Sequence, residues 1–164
     1  MSNSKIKSII IILGLLLTTG CENSTGSKTP ESATISGTIT FTGDWPSDGD
    51  VAVSLSSTWP PVSLPAASSA ITESELSSGT YAYTFKNVTF GTYASIAVSW
   101  QDPNDENPAT NQYPFGAYGG VYPFFTAYGG TDPTTITVSE TDYLKINLDF
   151  SANLIYATSS IGGQ

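Results

Sequence analysis

Residues 80–100, TYAYTFKNVTFGTYASIAVSW, constrain the fold more than any other stretch of this chain. In the first half Tyr81, Tyr83 and Phe85 alternate with Thr80, Ala82, Thr84 and Lys86. Period-two alternation of this kind belongs to a strand with one buried face. In the second half Ala94, Ile96, Val98 and Trp100 share a face, with Tyr93, Ala97 and Ser99 opposite. Val88 to Gly91 separates the halves as a tight turn, so the stretch is expected to form the central hairpin of the fold. Burying each large apolar side chain contributes about 1.5–3 kcal/mol, and both strands carry several.

The same alternation continues on either side. Ile35, Gly37, Ile39 and Phe41 predict a first strand, residues 43–49 a turn, and Val51, Val53 and Leu55 a second strand. Residues 56–69, with Trp59, Pro60, Pro61 and Pro65, are expected as a long loop, and Ile71 to Leu76 as a third strand. Later strands are expected at Thr134–Val138 and Leu144–Phe150, with a final edge segment at Ala152–Tyr156. Between them, Tyr113-Pro-Phe-Gly-Ala-Tyr-Gly-Gly is echoed by Tyr122-Pro-Phe-Phe-Thr-Ala-Tyr-Gly-Gly, a local duplication too short for a solenoid. No helical period is sustained beyond the N-terminus, and 15 Gly with 10 Pro favour turns over helices. The expected class is all-β.

What the chain lacks excludes whole classes of chemistry. With no His and one Cys, neither a Ser-His-Asp nor a Cys-His arrangement can be built, nor a usual zinc site. A single Cys allows no internal disulfide. The formal charge is −9, and residues 21–164 retain three Lys against fourteen acids. Such a surface repels nucleic acid. Paired carboxylates could still serve a glycosidase, but nothing places two in an apolar cleft. No enzyme activity and no cofactor are expected.

Residues 1–20 read as a secretory signal: Lys5 and Lys7, then the apolar run SIIIILGLLL, too short to span a bilayer needing about 20 residues. It closes on Leu17-Thr18-Thr19-Gly20-Cys21, which resembles the lipobox of bacterial lipoproteins, with Thr18 replacing the usual aliphatic residue. The resemblance implies cleavage before Cys21 and a diacylglyceryl thioether on its sulfur. Several acyl chains give stable anchoring where one is marginal. Glu22 stands where some lipoproteins carry an inner-membrane retention Asp, so the expected address is the cell envelope, with the outer membrane favoured. Residues 21–33 form the lipidated Cys and a flexible tether, polar and small, whose reach is roughly 20 Å. Residues 34–156 form the domain and 157–164 a tail.

The pattern Phe85-x-Asn87-Val88-x-x-Gly91-Thr92-Tyr93, together with Ile35-Ser36-Gly37-Thr38-Ile39, resembles the carboxypeptidase regulatory-like and transthyretin-like domains. Phe90 departs from the Pro or small residue common there. The resemblance implies a seven- or eight-stranded Greek-key sandwich of prealbumin type. Its members include accessory, adhesion and carbohydrate-binding-like domains, and it implies no activity.

If consecutive strands alternate in direction, loops 43–50, 77–79, 101–111 and 139–142 gather at one end with eight of the fourteen acids. Loops 56–69, 88–91 and 119–133 gather at the other with the aromatics, where the tether enters. At the acidic end Asp102, Asp105 and Glu106 are the candidates for Ca²⁺, which wants six to eight oxygens. Their spacing matches no EF-type loop, and a solvated loop is the preferred reading. At the aromatic end Trp59, Tyr118, Tyr122, Phe124 and Tyr128 are the candidate ligand-binding residues. They could stack on sugars, anchor a protein partner, or pack on one another as a satellite core. The expected function is a lipid-anchored, non-catalytic envelope module for interaction or structural support. The alternatives are a carbohydrate-binding module and a calcium-dependent adhesion-type domain.

Overall fold

The structure is a computed structural model that describes residues 28–107 and 110–157. The signal segment, Cys21, most of the tether and residues 158–164 lie outside the described residues. Ten strands follow in order: β1 (Ala33–Thr42), β2 (Asp50–Ser56), β3 (Ala67–Ile71), β4 (Thr80–Val88), β5 (Gly91–Tyr93), β6 (Ser95–Gln101), β7 (Gln112–Ala117), β8 (Ile136–Val138), β9 (Leu144–Lys145) and β10 (Phe150–Asn153). Seven of them form one curled mixed sheet in the order β3-β2-β6-β7-β10-β1-β4, with β9 also on β1, while β5 and β8 make a two-stranded sheet. The fold is all-β, as expected, and compatible with a β-sandwich.

The inward residues predicted for β1, β2, β4 and β6 face the core. Ile35, Ile39, Val53, Leu55, Ile96 and Val98 are fully buried, and Tyr83, Phe85, Trp100 and Phe115 join them in the main core. Residue periodicity therefore identified the faces correctly, but it misidentified one pairing. β4 and β6 do not form a hairpin: β4 pairs only with β1 at one edge, while β6 lies between β2 and β7. The intervening turn sends the chain across the molecule instead of back on itself. Asn87 takes a left-handed φ of 57°, and β5 leaves to pair with β8. Tyr93, buried, donates its hydroxyl to the Thr89 carbonyl at 2.7 Å and pins this arch.

Three further segments differ from expectation. The third strand is Ala67–Ile71, not Ile71–Leu76, and pairs antiparallel with β2. After Ile71 the Thr72 amide is taken by the Glu75 carboxylate at 2.8 Å, and the two residues form a capping box around a short 3-10 turn. The apolar run from Leu144 to Phe150 is broken rather than continuous. Its parts β9 and β10 both run parallel to β1, Thr34 opposite Leu144 and Ile39 opposite Phe150, so one extra residue is accommodated between them. That residue makes a bulge, with Asn147 at φ 57°. The segment expected at an edge, Ala152–Tyr156, instead begins within a strand flanked by β7 and β1, and ends in a 3-10 turn.

Two hydrogen bonds hold the bulge in place. Tyr83 donates its hydroxyl to the Leu148 carbonyl at 2.8 Å, and the Thr38 amide donates to Asp149. Burial, with Asp149 and then Tyr118 adding repulsion, holds the Tyr83 phenol well above its usual pKa. A raised pKa means that this stability is complete below the unfolded tyrosine value of about 10 and is lost as pH rises above it. Tyr83→Phe is expected to cost about 1 kcal/mol at neutral pH, since the Leu148 carbonyl loses its donor. The variant should then lose less stability than the parent between about pH 9 and 11, as thermal melts would show. Identical slopes in that range would contradict the assignment.

Candidate functional site

Strand directions place the loops. β1, β3, β6 and β10 run one way, and β2, β4 and β7 the other. Loops 43–49, 72–79 and 102–111 therefore share one end. The Trp100 indole donates to the Asp48 carbonyl at 2.8 Å, tying loop 43–49 to the end of β6. Asp48 and Asp105 lie at the same end, as expected. Loop 139–142 does not join them, because β8 belongs to the small sheet and β9 starts parallel to β1. Thr34 donates its amide to the Tyr143 carbonyl at 2.8 Å, which puts Glu140 and Asp142 at the end where the tether enters. The acidic end instead gains Glu73 and Glu75, so among the described residues it holds Asp44, Asp48, Asp50, Glu73, Glu75, Asp102, Asp105 and Glu106 and no Lys.

Two of the three carboxylates of the 102–111 loop, Asp102 and Asp105, are committed to the loop itself. Asp102 accepts from the Asn104 amide at 2.8 Å, and Asp105 from the Asn107 amide at 2.9 Å and the Thr110 hydroxyl at 2.7 Å. Those bonds, the Thr110 hydroxyl foremost, hold the Asp105 pKa below the usual carboxylate value. Glu106 is exposed. Among the described residues no three acidic side chains converge to hold a metal ion. A cleft of about 280 Å³, which the sequence did not suggest, lies at this end between Phe41, Trp45, Glu73, Leu76 and Leu154.

Three of the five aromatic candidates come together, on the outer face of the sheet. Phe124 is buried against Ala97 of β6 and Ala117 of β7, with Trp59 and Tyr122 packed around it. The Trp59 indole donates to the Phe124 carbonyl at 2.8 Å and stacks on Phe125 with ring centres 5.4 Å apart. Tyr122 meets Phe124 edge-on and stacks on Tyr156 at 3.7 Å. The loop is closed at its base by paired backbone bonds between Val121 and Thr131, and Asp132 accepts the Thr126 amide at 3.0 Å. Phe124 itself sits at φ 68°, a conformation a bulky residue adopts only when its surroundings hold it. The arrangement is a satellite core that covers β6 and β7 from outside.

The remaining two candidates lie apart. Tyr118, half-buried, packs against the main core, its amide bonded to the Ile96 carbonyl. Tyr128 is 66% exposed, its ring edge-on to Phe125. The duplicated YPF segments take different structures: the first is β7, with Tyr113 against Trp100, and the second is the covering loop. One sequence signal foretold the cover. Ser95–Val98 carries no large polar side chain on either face, and all four residues are buried, as expected of a strand covered on both sides. Cys21, the candidate for lipid attachment, lies outside the described residues. The chain matches no protein-family model, no curated protein and no solved structure.

Proposed function

We propose that this chain is a lipid-anchored, non-catalytic module of the bacterial cell envelope, acting in interaction or structural support. The observation that carries the reading is the position of its single cysteine. Cys21 stands directly after the apolar segment and the Leu-Thr-Thr-Gly sequence, with a polar tether separating it from the first strand. A thioether-linked lipid makes use of a thiol that has no internal partner for a disulfide. The packed state of Trp59, Tyr122 and Phe124 supports a structural role for the aromatic loop. The kinship with carboxypeptidase regulatory-like domains is part of the same proposal, resting on the Gly91-Thr92-Tyr93 arch and its pinned tyrosine.

The test is fractionation after expression in a bacterium. The parent chain is expected in the membrane fraction, extractable by detergent. Cys21→Ser is expected to leave the mature domain out of that fraction or unprocessed. A parent chain recovered in the soluble fraction would contradict the proposal. A second reading, polysaccharide binding, is favoured by one feature, the exposed Tyr128 ring beside the Trp59–Phe125 stack. A polysaccharide pull-down lost on Tyr128→Ala would support it.

A further inference from the structure

We propose that the end of the domain where the tether enters is a docking face for the lipid bilayer, so that the module lies against its membrane with the acidic end outward. This rests on the lipid-anchor reading of Cys21. Three independent placements meet at that end. The first is apolar. Leu144 and Ile146 are 53% and 60% exposed, Tyr143 is 37% exposed, and Thr34 at the start of β1 is directly opposite Leu144. The loop between β2 and β3 reaches the same end with Val62 and Leu64 at 80% and 93% exposed. Isolated exposed apolar residues are ordinary, but a cluster of them at one end marks an interaction site. Among the described residues, Ile155, beyond β10, is the large apolar residue exposed at the opposite end.

The second placement is charge. Lys28, Lys86 and Lys145 all belong to this end: Lys28 on the tether, Lys86 beside Phe85, which pairs with Ile35, and Lys145 opposite Ile35. The acids here are Glu31, Asp132, Glu140 and Asp142, with Asp149 at the bulge; Glu31 pairs with Lys28 and Asp142 with Lys145. This end is close to neutral, and Lys86 remains exposed on the outward face. Among the described residues the other end carries eight carboxylates and no Lys. An anionic headgroup layer repels that end once it comes within a Debye length of about 8–10 Å. Rotations that bring it to the membrane are therefore disfavoured.

The third placement is reach. A random-coil tether of the length from Cys21 to Ala33 would have an r.m.s. reach of roughly 20 Å, which keeps the anchored domain near the interface. A short tether gives an effective concentration in the millimolar range, and a contact with a millimolar dissociation constant is then about half occupied. A few aliphatic side chains at the headgroup boundary meet that requirement.

The experiment uses the full chain, matured and reconstituted into phosphatidylethanolamine–phosphatidylglycerol vesicles that carry nitroxide lipid. An environment-sensitive fluorophore is attached at Ile146→Cys, at Leu144→Cys, or at Asp48→Cys on the acidic end. A lipidated Cys21 offers no free thiol, so each variant takes one label. The chain is expected to float with the vesicles, with about half the emission at positions 144 and 146 quenched, in line with half occupancy, and that at 48 unquenched. Flotation with no quenching at any position, or with equal quenching at all three, overturns the docking face and leaves the anchor standing. A chain that fails to float and takes a second label at Cys21 overturns the anchor reading and the docking face with it.

Discussion

Phe124→Ala is expected to be among the most destabilising single substitutions in this chain, lowering the unfolding free energy by about 3–5 kcal/mol. Phe124 is 4% exposed, and its ring fills the space between Ala97 and Ala117 on the outer face of the sheet. Alanine at that position leaves a cavity that the small side chains beneath cannot close. It also removes the edge-on partner of Tyr122, while the left-handed backbone at φ 68° remains to be held. The loss has a local signature. Trp59 donates its indole N–H to the Phe124 carbonyl and stacks on Phe125, so a loosened loop shifts its emission to longer wavelength. Because the satellite core is a cluster distinct from the main one, that emission change is expected to precede the global transition in urea. Tyr128→Ala, at an exposed ring of the same loop, is expected to cost under about 1 kcal/mol. Equal and small effects at both positions would mean that the loop is not a packed cover.

Gly37→Ala is the second large effect, and its cause is different. Gly37 occupies an inward position of β1, between Ile35 and Ile39, where alternation alone would place another aliphatic residue. A Cβ there would lie 2.4 Å from the Leu148 carbonyl oxygen and 2.9 Å from the Tyr83 hydroxyl. Neither is the loose end of a flexible side chain, for the hydroxyl is bonded to that same carbonyl. The substitution therefore pushes the bulge between β9 and β10 off β1 and breaks a buried hydrogen bond. Overpacking together with the unsatisfied carbonyl is expected to cost about 3 kcal/mol, a fall in melting temperature near 10 °C. Adding Tyr83→Phe should cost little more, because both changes act on one contact, and a double-mutant cycle would measure the shared term. Fully additive losses would contradict the bulge as the point of contact.

Alternation made the faces of the strands legible, and the inward set from Ile35 to Trp100 is buried as its spacing required. Partners were less legible. A strand's period states which side is covered but not which strand lies beside it, so β4 and β6, adjacent in sequence and separated by a turn, read as a hairpin. The pairing of β4 with β1 depends on contacts some fifty residues away in sequence, which no local window contains. The bulge at Asn147 was hidden for a similar reason. Leu144, Ile146 and Leu148 alternate cleanly, yet two of the three are exposed, because Leu144 lies opposite the outward Thr34 and the extra residue shifts the phase before Phe150 comes opposite the inward Ile39. For the aromatic loop, residue type named the participants, and Trp59, Tyr122 and Phe124 do meet. Their place on the outside of β6 and β7 followed from the small residues Ala97 and Ala117, whose lack of bulk is what leaves room for Phe124.

The lipid anchor depends on Cys21, and the N-terminal peptide of the mature chain tests it most directly. After purification from membranes and trypsin digestion, mass spectrometry is expected to find a peptide that begins at Cys21 and ends at Lys28, heavier by a diacylglyceryl group. Hydroxylamine-resistant attachment to sulfur would agree with a thioether. A mature chain that begins at another residue, or a peptide carrying Cys21 with a free thiol, would contradict the lipid anchor and the membrane-bound role built on it.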